Sequence, residues 1–518
     1  MTIQSSCSPH SCLGAHLIEI VRAVRGTLRE LKIGKETNVK KMMMVMLMLI
    51  GAAGEGNAQP DSLWSRTYGG GSGDVCTSII QTADGGFAMA GTTESFGAGD
   101  GDFWLVRTNA EGESLWSRTF DGEGYDACHS LIQTADGGFA LAGENLFIPA
   151  AGYSVWLVRT NAEGDSLWSR TYGGRRNDYC TSIIQTADGG FALAGYTNSL
   201  GAGRFDFWLV RTNAQGDSLW SRTFGAGNDE QCCSIIQTAD GGFALAGTTE
   251  SFGAGVRDFW LVRTNAEGDN LWSRAFGGES QDYCYSLIQT ADGGFALAGE
   301  TYSFGVGRFD FWLVRTNADG DSLWSRAFGG GDYDRCYSLI QTMDEGFALA
   351  GSTGSFGAGI TAFWLMRTNA EGDSLWSRVF GGGEDVCSSL IQTADRGFAL
   401  AGSTRSFGAG GSDFWLVKTG ADPVSVSDSP FQLSTFNFQL CPNPFNASTT
   451  LTYSLPRKAP VELGIYDLSG RLVETLVYGV AEAGEHSVVW TAPGSGVYFA
   501  VLNIEGEGKA VKKVVCIR

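Results

Sequence analysis

One internal repeat, kept at an almost fixed 52-residue step, leaves this chain few folds to choose from. The string Leu-Trp-Ser-Arg starts at Leu63, Leu115, Leu167, Leu219, Leu271, Leu323 and Leu375. A second tryptophan recurs in step at Trp104, Trp156, Trp208, Trp260, Trp312, Trp364 and Trp415, the last interval being one residue short because the loop before Cys387 has lost a position. A period of this size means a solenoid, a propeller or an array of small units. Each unit holds four short runs rich in aromatic and β-branched residues, bounded by Gly, Asp and Asn; in the first unit they are 76–82, 87–92, 103–108 and 115–120. Asp84-Gly85-Gly86 is a tight hairpin between the first two, and residues 109–112 turn the third into the fourth. In Phe139-Ala140-Leu141-Ala142 the large side chains fall on one face and the alanines on the other. That alternation suits a sheet squeezed between two neighbours. Four strands per unit and seven units predict an all-β fold, a seven-bladed β-propeller over residues 63–419. A solenoid is the rival, but 52 residues is long for one coil.

The phase of the repeat argues for closure. Residues 384–419 supply three strands of the last blade, while the first strand of the chain, 63–68, is of the missing fourth type. Pairing the two completes a ring and removes two open sheet edges.

Composition agrees. The chain carries 74 glycines, 31 Phe and 15 Trp, enough apolar surface for packed cores joined by glycine turns. Its net charge of −20 argues against nucleic acid or an anionic lipid surface as partner. At the N-terminus, Lys40-Lys41, an apolar run over 42–53 and then Gly56-Asn57-Ala58 have the order of a secretory signal peptide, with cleavage expected after Ala58. Residues 1–58 are thus expected to be leader, the true start being Met42 or Met43. A polar linker is expected over 420–438. Six further strand-like runs, between 449 and 517, then suggest an immunoglobulin-like β-sandwich over 439–518.

Two resemblances bear on function. Residues 159–168, Arg-Thr-Asn-Ala-Glu-Gly-Asp-Ser-Leu-Trp, resemble the turn of pyrroloquinoline-quinone-type propeller repeats, which implies that Trp64 to Trp376 wedge between blades. The same turn is only loosely similar to the Asp box of sialidases. The whole unit looks most like the glycine-rich propeller repeats of secreted bacterial surface proteins. The C-terminal segment resembles a type IX secretion sorting domain, which shares its fold with the immunoglobulin-like domain of flagellar hook-capping proteins. The matching residues are Pro442-Asn443-Pro444-Phe445-Asn446, Ile465-Tyr466-Asp467 with Gly470-Arg471, Ala483-Gly484-Glu485-His486, Gly496-Val497-Tyr498-Phe499 and a basic end. Cys441 departs from the aromatic usual there. This resemblance implies export through the periplasm to the surface or medium, the type IX machinery as a partner, and often removal of the domain with lipid-linked anchoring.

Site chemistry is sparse. Seven of the 12 cysteines hold one repeat position (Cys76, Cys128, Cys180, Cys232, Cys284, Cys336 and Cys387), which reads as a small buried hydrophobe. Cys441 and Cys516 could pair. The vicinal Cys232-Cys233 falls at a variable position and reads as coincidence. No Cys-x-x-Cys appears, and two of the four histidines sit in the leader, so no metal is expected. Neither a Gly-x-Ser-x-Gly elbow nor a phosphate loop is present, and no cofactor is called for. The one recurrent chemical feature lies two residues before each repeat cysteine: Asp74, Asp126, Asp178, Glu230, Asp282, Asp334 and Asp385. These would ring the channel mouth and attract a cation or a basic ligand, or else order their own glycine loops. In the loop between second and third strands the second unit stands out, with Leu146-Phe147-Ile148-Pro149 as a candidate partner contact. The expected function is that of a monomeric, non-enzymatic binding or adhesion module for a surface glycan or protein. The alternative is a secreted propeller hydrolase, lyase or quinone enzyme.

Overall fold

The computed structural model describes residues 62–422 and 439–516, except for 99, 123, 148–151, 358, 442–447, 456–457, 468–471, 495 and 505–507. The expected signal peptide, most of the expected linker and the Pro-Asn-Pro-Phe-Asn motif lie outside them. The described residues are all-β, without helix. Among them are seven four-stranded antiparallel sheets that resemble propeller blades, one per repeat. In the first, Asp74–Gln81, Phe87–Thr93, Asp102–Thr108 and Ser114–Phe120 pair in chain order. The first strand therefore starts two residues earlier than its apolar run, at the acid.

The seventh sheet is assembled from both ends of the array. Asp385–Gln392, Phe398–Thr404 and Asp413–Thr419 are joined by Ser62–Tyr68, which runs antiparallel to Asp413–Thr419 with Tyr68 opposite Phe414. The offset in the repeat is thus resolved by strand pairing. Every first strand touches the first strand of both neighbours, and the cycle closes between Asp74–Gln81 and Asp385–Gln392. Hydroxyl bonds run along that seam: Leu131 N donates to Ser78 Oγ at 3.2 Å, and Ile79 N closes the circle on Ser389 Oγ at 3.3 Å.

Packing between sheets follows the large–small alternation. Phe139 and Leu141 of the second sheet lie in one core with Ala88 and Ala90 of the first. Ala140 and Ala142, on its other face, meet Phe191 and Leu193 of the third. Glycine marks the closest approach: a Cβ on Gly91 would stand 1.9 Å from the Val75 carbonyl oxygen. The repeat cysteines are buried between sheets, as a small apolar residue would be. Burial pushes the Cys76 thiol up to about 12, so it stays protonated.

Both tryptophan series cross between sheets. Trp260 packs on Phe207 of the preceding sheet at 4.7 Å between ring centroids. Trp220 meets Phe243 of the following sheet edge-on at 6.1 Å and covers Gly268 in that sheet's hairpin. Each hairpin between first and second strands carries one ion pair, such as Arg315 with Asp292 at 2.5 Å. The sixth sheet differs. Its Arg367 is fully buried and pairs both with Asp344 and with Asp422. Asp422, expected in the linker, is itself buried and also accepts a bond from Trp376 Nε1 at 3.3 Å. The repeat array therefore extends to Asp422.

The C-terminal residues form two further sheets. Gln439–Cys441, Ser448–Leu455 and Gly484–Thr491 make one; Leu472–Ala481, Ala459–Asp467, Gly496–Ile504 and Gly508–Cys516 make the other. They share a core in which Leu451, Tyr453 and Trp490 face Leu463, Ile465 and Leu502. Trp490 is buried with its indole N–H on Glu474, and Tyr498 packs half-buried against it. The short strand Gln439–Cys441 carries too few residues to show an alternating pattern. Pairing of Cys441 with Cys516 concerns side chains outside the described residues.

Candidate functional site

The seven repeat acids are where the first strands begin, but they do not form an open ring. All are fully buried, each turned into its own loop. Asp178 accepts bonds from the Thr197 and Ser199 hydroxyls and from Gly174 N, at 2.7 Å for the last. Asp74, Asp282 and Asp385 hold the equivalent Thr and Ser hydroxyls, while Asp334 holds that of Thr353 together with the Ser355 backbone N–H. Glu230 reaches Thr249, the Ser251 backbone and Ala226 N. Six of the acids thus act as loop clamps. Their carboxylates are consumed by hydroxyl and amide donors, which corrects the picture of a ligand-attracting ring. Asp126 alone lacks the hydroxyl partners.

Chemical variety appears where the repeats differ. Three residues past each acid, the first strand carries Thr77, His129, Thr181, Cys233, Tyr285, Tyr337 or Ser388. His129 Nε2 lies 2.9 Å from Glu144 on the neighbouring strand. Burial works against a proton on His129, but the charge and hydrogen bond of Glu144 more than restore it, raising its pKa. Tyr285 donates to Glu300 at 3.1 Å, Arg335 reaches the same carboxylate at 3.0 Å, and the Tyr337 ring lies 5.1 Å from Tyr285. Burial pushes the Glu300 carboxyl up despite these partners. Burial pushes the Cys233 thiol up to about 12, which keeps it protonated.

A second group occupies the loop face, on the same side as the repeat acids. Tyr153, Tyr179, Tyr196 and Phe205 form a chain of ring contacts 4.8 to 6.1 Å apart. Tyr283, Tyr302 and Tyr333 surround Phe309 at 5.3 to 5.9 Å, with Tyr302 and Tyr333 exposed. Three arginines lie over these rings: Arg257 over Tyr283, and Arg308 and Arg335 over Tyr333, all within 5.3 Å. Sequence reasoning missed this cluster because its members come from the variable loop positions of several repeats. The only signal was a tyrosine directly after the acid in two units, Tyr179 and Tyr283, and directly before it in two others, Tyr125 and Tyr333. The second unit's outlier loop is a longer hairpin instead of an open loop: Phe139–Phe147 pairs with Gly152–Thr160 as far as Phe147 opposite Gly152. Ile148 and Pro149 lie outside the described residues.

Comparison with known proteins places the C-terminal sandwich. Residues 439–517 match the family of secretion system C-terminal sorting domains. The chain is therefore exported by type IX secretion to the cell surface or medium, and the type IX machinery is a partner. Over 256 residues it is 23% identical to the regulatory protein FlaEY of Caulobacter vibrioides, spanning 44% of this chain and about a quarter (26%) of that protein. Similar solved structures include the Neurospora crassa Pan2 WD40 domain, at 10% identity and TM-score 0.45 over 71% of this chain and 97% of that one. Sqt1 from Chaetomium thermophilum gives 14% and 0.40 over 66% and 82%. Acylaminoacyl peptidase of Pyrococcus horikoshii gives 10% and 0.37 over 75% and 59%.

Proposed function

We propose that the chain is an exported, non-enzymatic binding module: a seven-bladed β-propeller that holds an extended glycan on its loop face, delivered by an immunoglobulin-like sorting domain of the kind shared with hook-capping proteins. The observation that carries this reading is the aromatic–arginine surface around Phe309. Exposed Tyr302 and Tyr333 present flat apolar faces suited to sugar rings, and Arg308 and Arg335 offer fixed donors to hydroxyl or acidic substituents. A protein ligand uses the same residue types, but a shallow aromatic strip spread over several blades fits a chain of repeating units better.

The test is a glycan array probed with the full chain, followed by titration of any hit against Tyr302→Ala and Tyr333→Ala. Each variant is expected to weaken binding about tenfold, as loss of one stacking ring does. Binding that is unchanged in both variants, or no hit on neutral and acidic polysaccharides, refutes the reading. The enzyme alternative draws its support from the cluster of Tyr285, Glu300, Arg335 and Tyr337. Glycan shortening on prolonged incubation would favour it.

A further inference from the structure

We propose that Asp102, Asp121 and Asp126, joined by the side-chain carbonyl of Asn145, form a calcium site that bridges the first and second blades. The repeats themselves provide six controls for this place in the fold. Six units have glycine directly after the fourth strand, at Gly69, Gly173, Gly225, Gly277, Gly329 and Gly381; the seventh instance is Asp121. That glycine sits where carboxylates of adjacent blades approach each other. On Gly277, for example, a Cβ would stand 1.7 Å from Asp258 Oδ1 and 2.8 Å from Asp282 Oδ2. Asp121 therefore brings a third carboxylate to a point where two already meet. One oxygen from each of Asp102, Asp121 and Asp126 lies within 4.8 Å of the other two. Oxygens bound about 2.4 Å from one calcium ion span distances of this size.

The second observation is independent of the acidic cluster. The other six repeat acids are clamped by a Thr and by the Ser two residues further on, and the second blade has Asn145 and Phe147 at those positions. Asp126 is 0% exposed, accepts one backbone N–H from Gly122 on Oδ2, and leaves Oδ1 with no hydrogen-bond partner. Asn145, directly opposite Asp126 in register, has its own buried Oδ1 unpartnered. A Cβ built on Gly122 would lie 2.9 Å from both Asp126 oxygens and 3.2 Å from the Asn145 amide nitrogen, so the two side chains converge, and turning the amide over brings its carbonyl to the same place. The charges that act on Asp126 are all carboxylates, from Asp102, Asp121 and Glu144. A buried, unsatisfied carboxylate beside two others either takes up a proton or is held by a cation between them, and an all-oxygen cluster with one open side suits the cation.

The donors are all oxygen, which selects a hard cation over zinc, and Asp121 is exposed, leaving one side open for water ligands. Calcium fits this flexible set better than magnesium, which demands a tight octahedron. An exported protein meets calcium at concentrations that fill sites with dissociation constants of about 0.1–1 mM.

The experiment uses the full chain stripped with EDTA, titrated with CaCl2 by calorimetry and melted with and without 5 mM calcium. One ion per chain should bind with a dissociation constant in that range, and the melting temperature should rise. Asp121→Gly gives the second blade the residue of the other six; it should weaken binding at least tenfold and abolish the calcium-dependent shift. Should that variant not fold, Asp121→Asn, which keeps the shape and drops the charge, is read the same way. No heat at 10 mM calcium, equal affinity for magnesium, or a binding curve unchanged by the substitution overturns the site.

Discussion

Asp422→Ala is the sharpest probe of how the repeat array is finished. The Arg367 guanidinium has no solvent exposure, and its Nε donates to Asp422 at 2.7 Å. The other bonds of Arg367 go to Asp344 and to the carbonyls of Phe347 and Thr368. Truncating Asp422 leaves a buried N–H of Arg367 and the indole N–H of Trp376 without acceptors. Breaking a buried ion pair costs about 3–5 kcal/mol, and retention of Asp344 puts this case near about 3. The lost indole bond adds about 1 kcal/mol, for a total of about 4. The matched control is Asp188→Ala: its carboxylate also pairs with an arginine, Arg211, but is 63% exposed. Arg211 is buried, but its partner lies at the surface where water can replace it, so that variant should lose only about 1–2 kcal/mol. Equilibrium urea unfolding followed by tryptophan fluorescence measures both, and Asp422→Asn should fall between. A loss below about 1 kcal/mol for Asp422→Ala would refute the role assigned to burial.

Trp220→Ala should cost about 2–3 kcal/mol in the same assay, below the range for a fully buried aromatic because Trp220 is only half-buried between sheets; a change under about 0.5 kcal/mol would make it a surface residue. Stability should fall as pH drops from about 4 towards 2. The Thr238 hydroxyl, then Arg263 and the Gly242 amide, outweigh burial and hold the Asp240 carboxyl down at about 2. A depressed folded pKa means that this contribution is present above the unfolded value near 3.8 and is lost on protonation. Asp240→Asn should flatten that slope slightly, by about 0.5 kcal/mol given the exposure of the carboxylate, and an unchanged profile would refute it.

The sheets were legible because their causes are local and repeated seven times. Phe139-Ala140-Leu141-Ala142 states both which face is buried and how closely each neighbour approaches. The N-terminal offset could likewise be read, since strand type follows from position within a unit. The role of the repeat acids stayed open between a ring and a loop clamp for a physical reason. Their hydroxyl partners stand 19 and 21 residues downstream, Thr93 and Ser95 for Asp74, and only the hairpin register brings them together. Asp422 was hidden because its partner Arg367 belongs to another sheet. The tyrosine–arginine surface was hidden because no single unit contains it; it exists only once several variable loops stand side by side.

The seventh sheet sets an order of events. Ser62–Tyr68 is synthesised before any other strand of the array, and its partner Asp413–Thr419 comes last. Until that partner has crossed the inner membrane, the first strand has nowhere to dock and the seventh sheet has two bare edges. Completion must therefore wait for the whole array to arrive, and the joint is about as non-local as a contact can be, which slows it. The sorting domain comes after the closing strand in sequence, from residue 439 against Thr419. Its place after the array means that the export signal is made only after the last blade, so the chain carries its own queue: closure can precede departure, and synthesis that stops before the final blade yields neither.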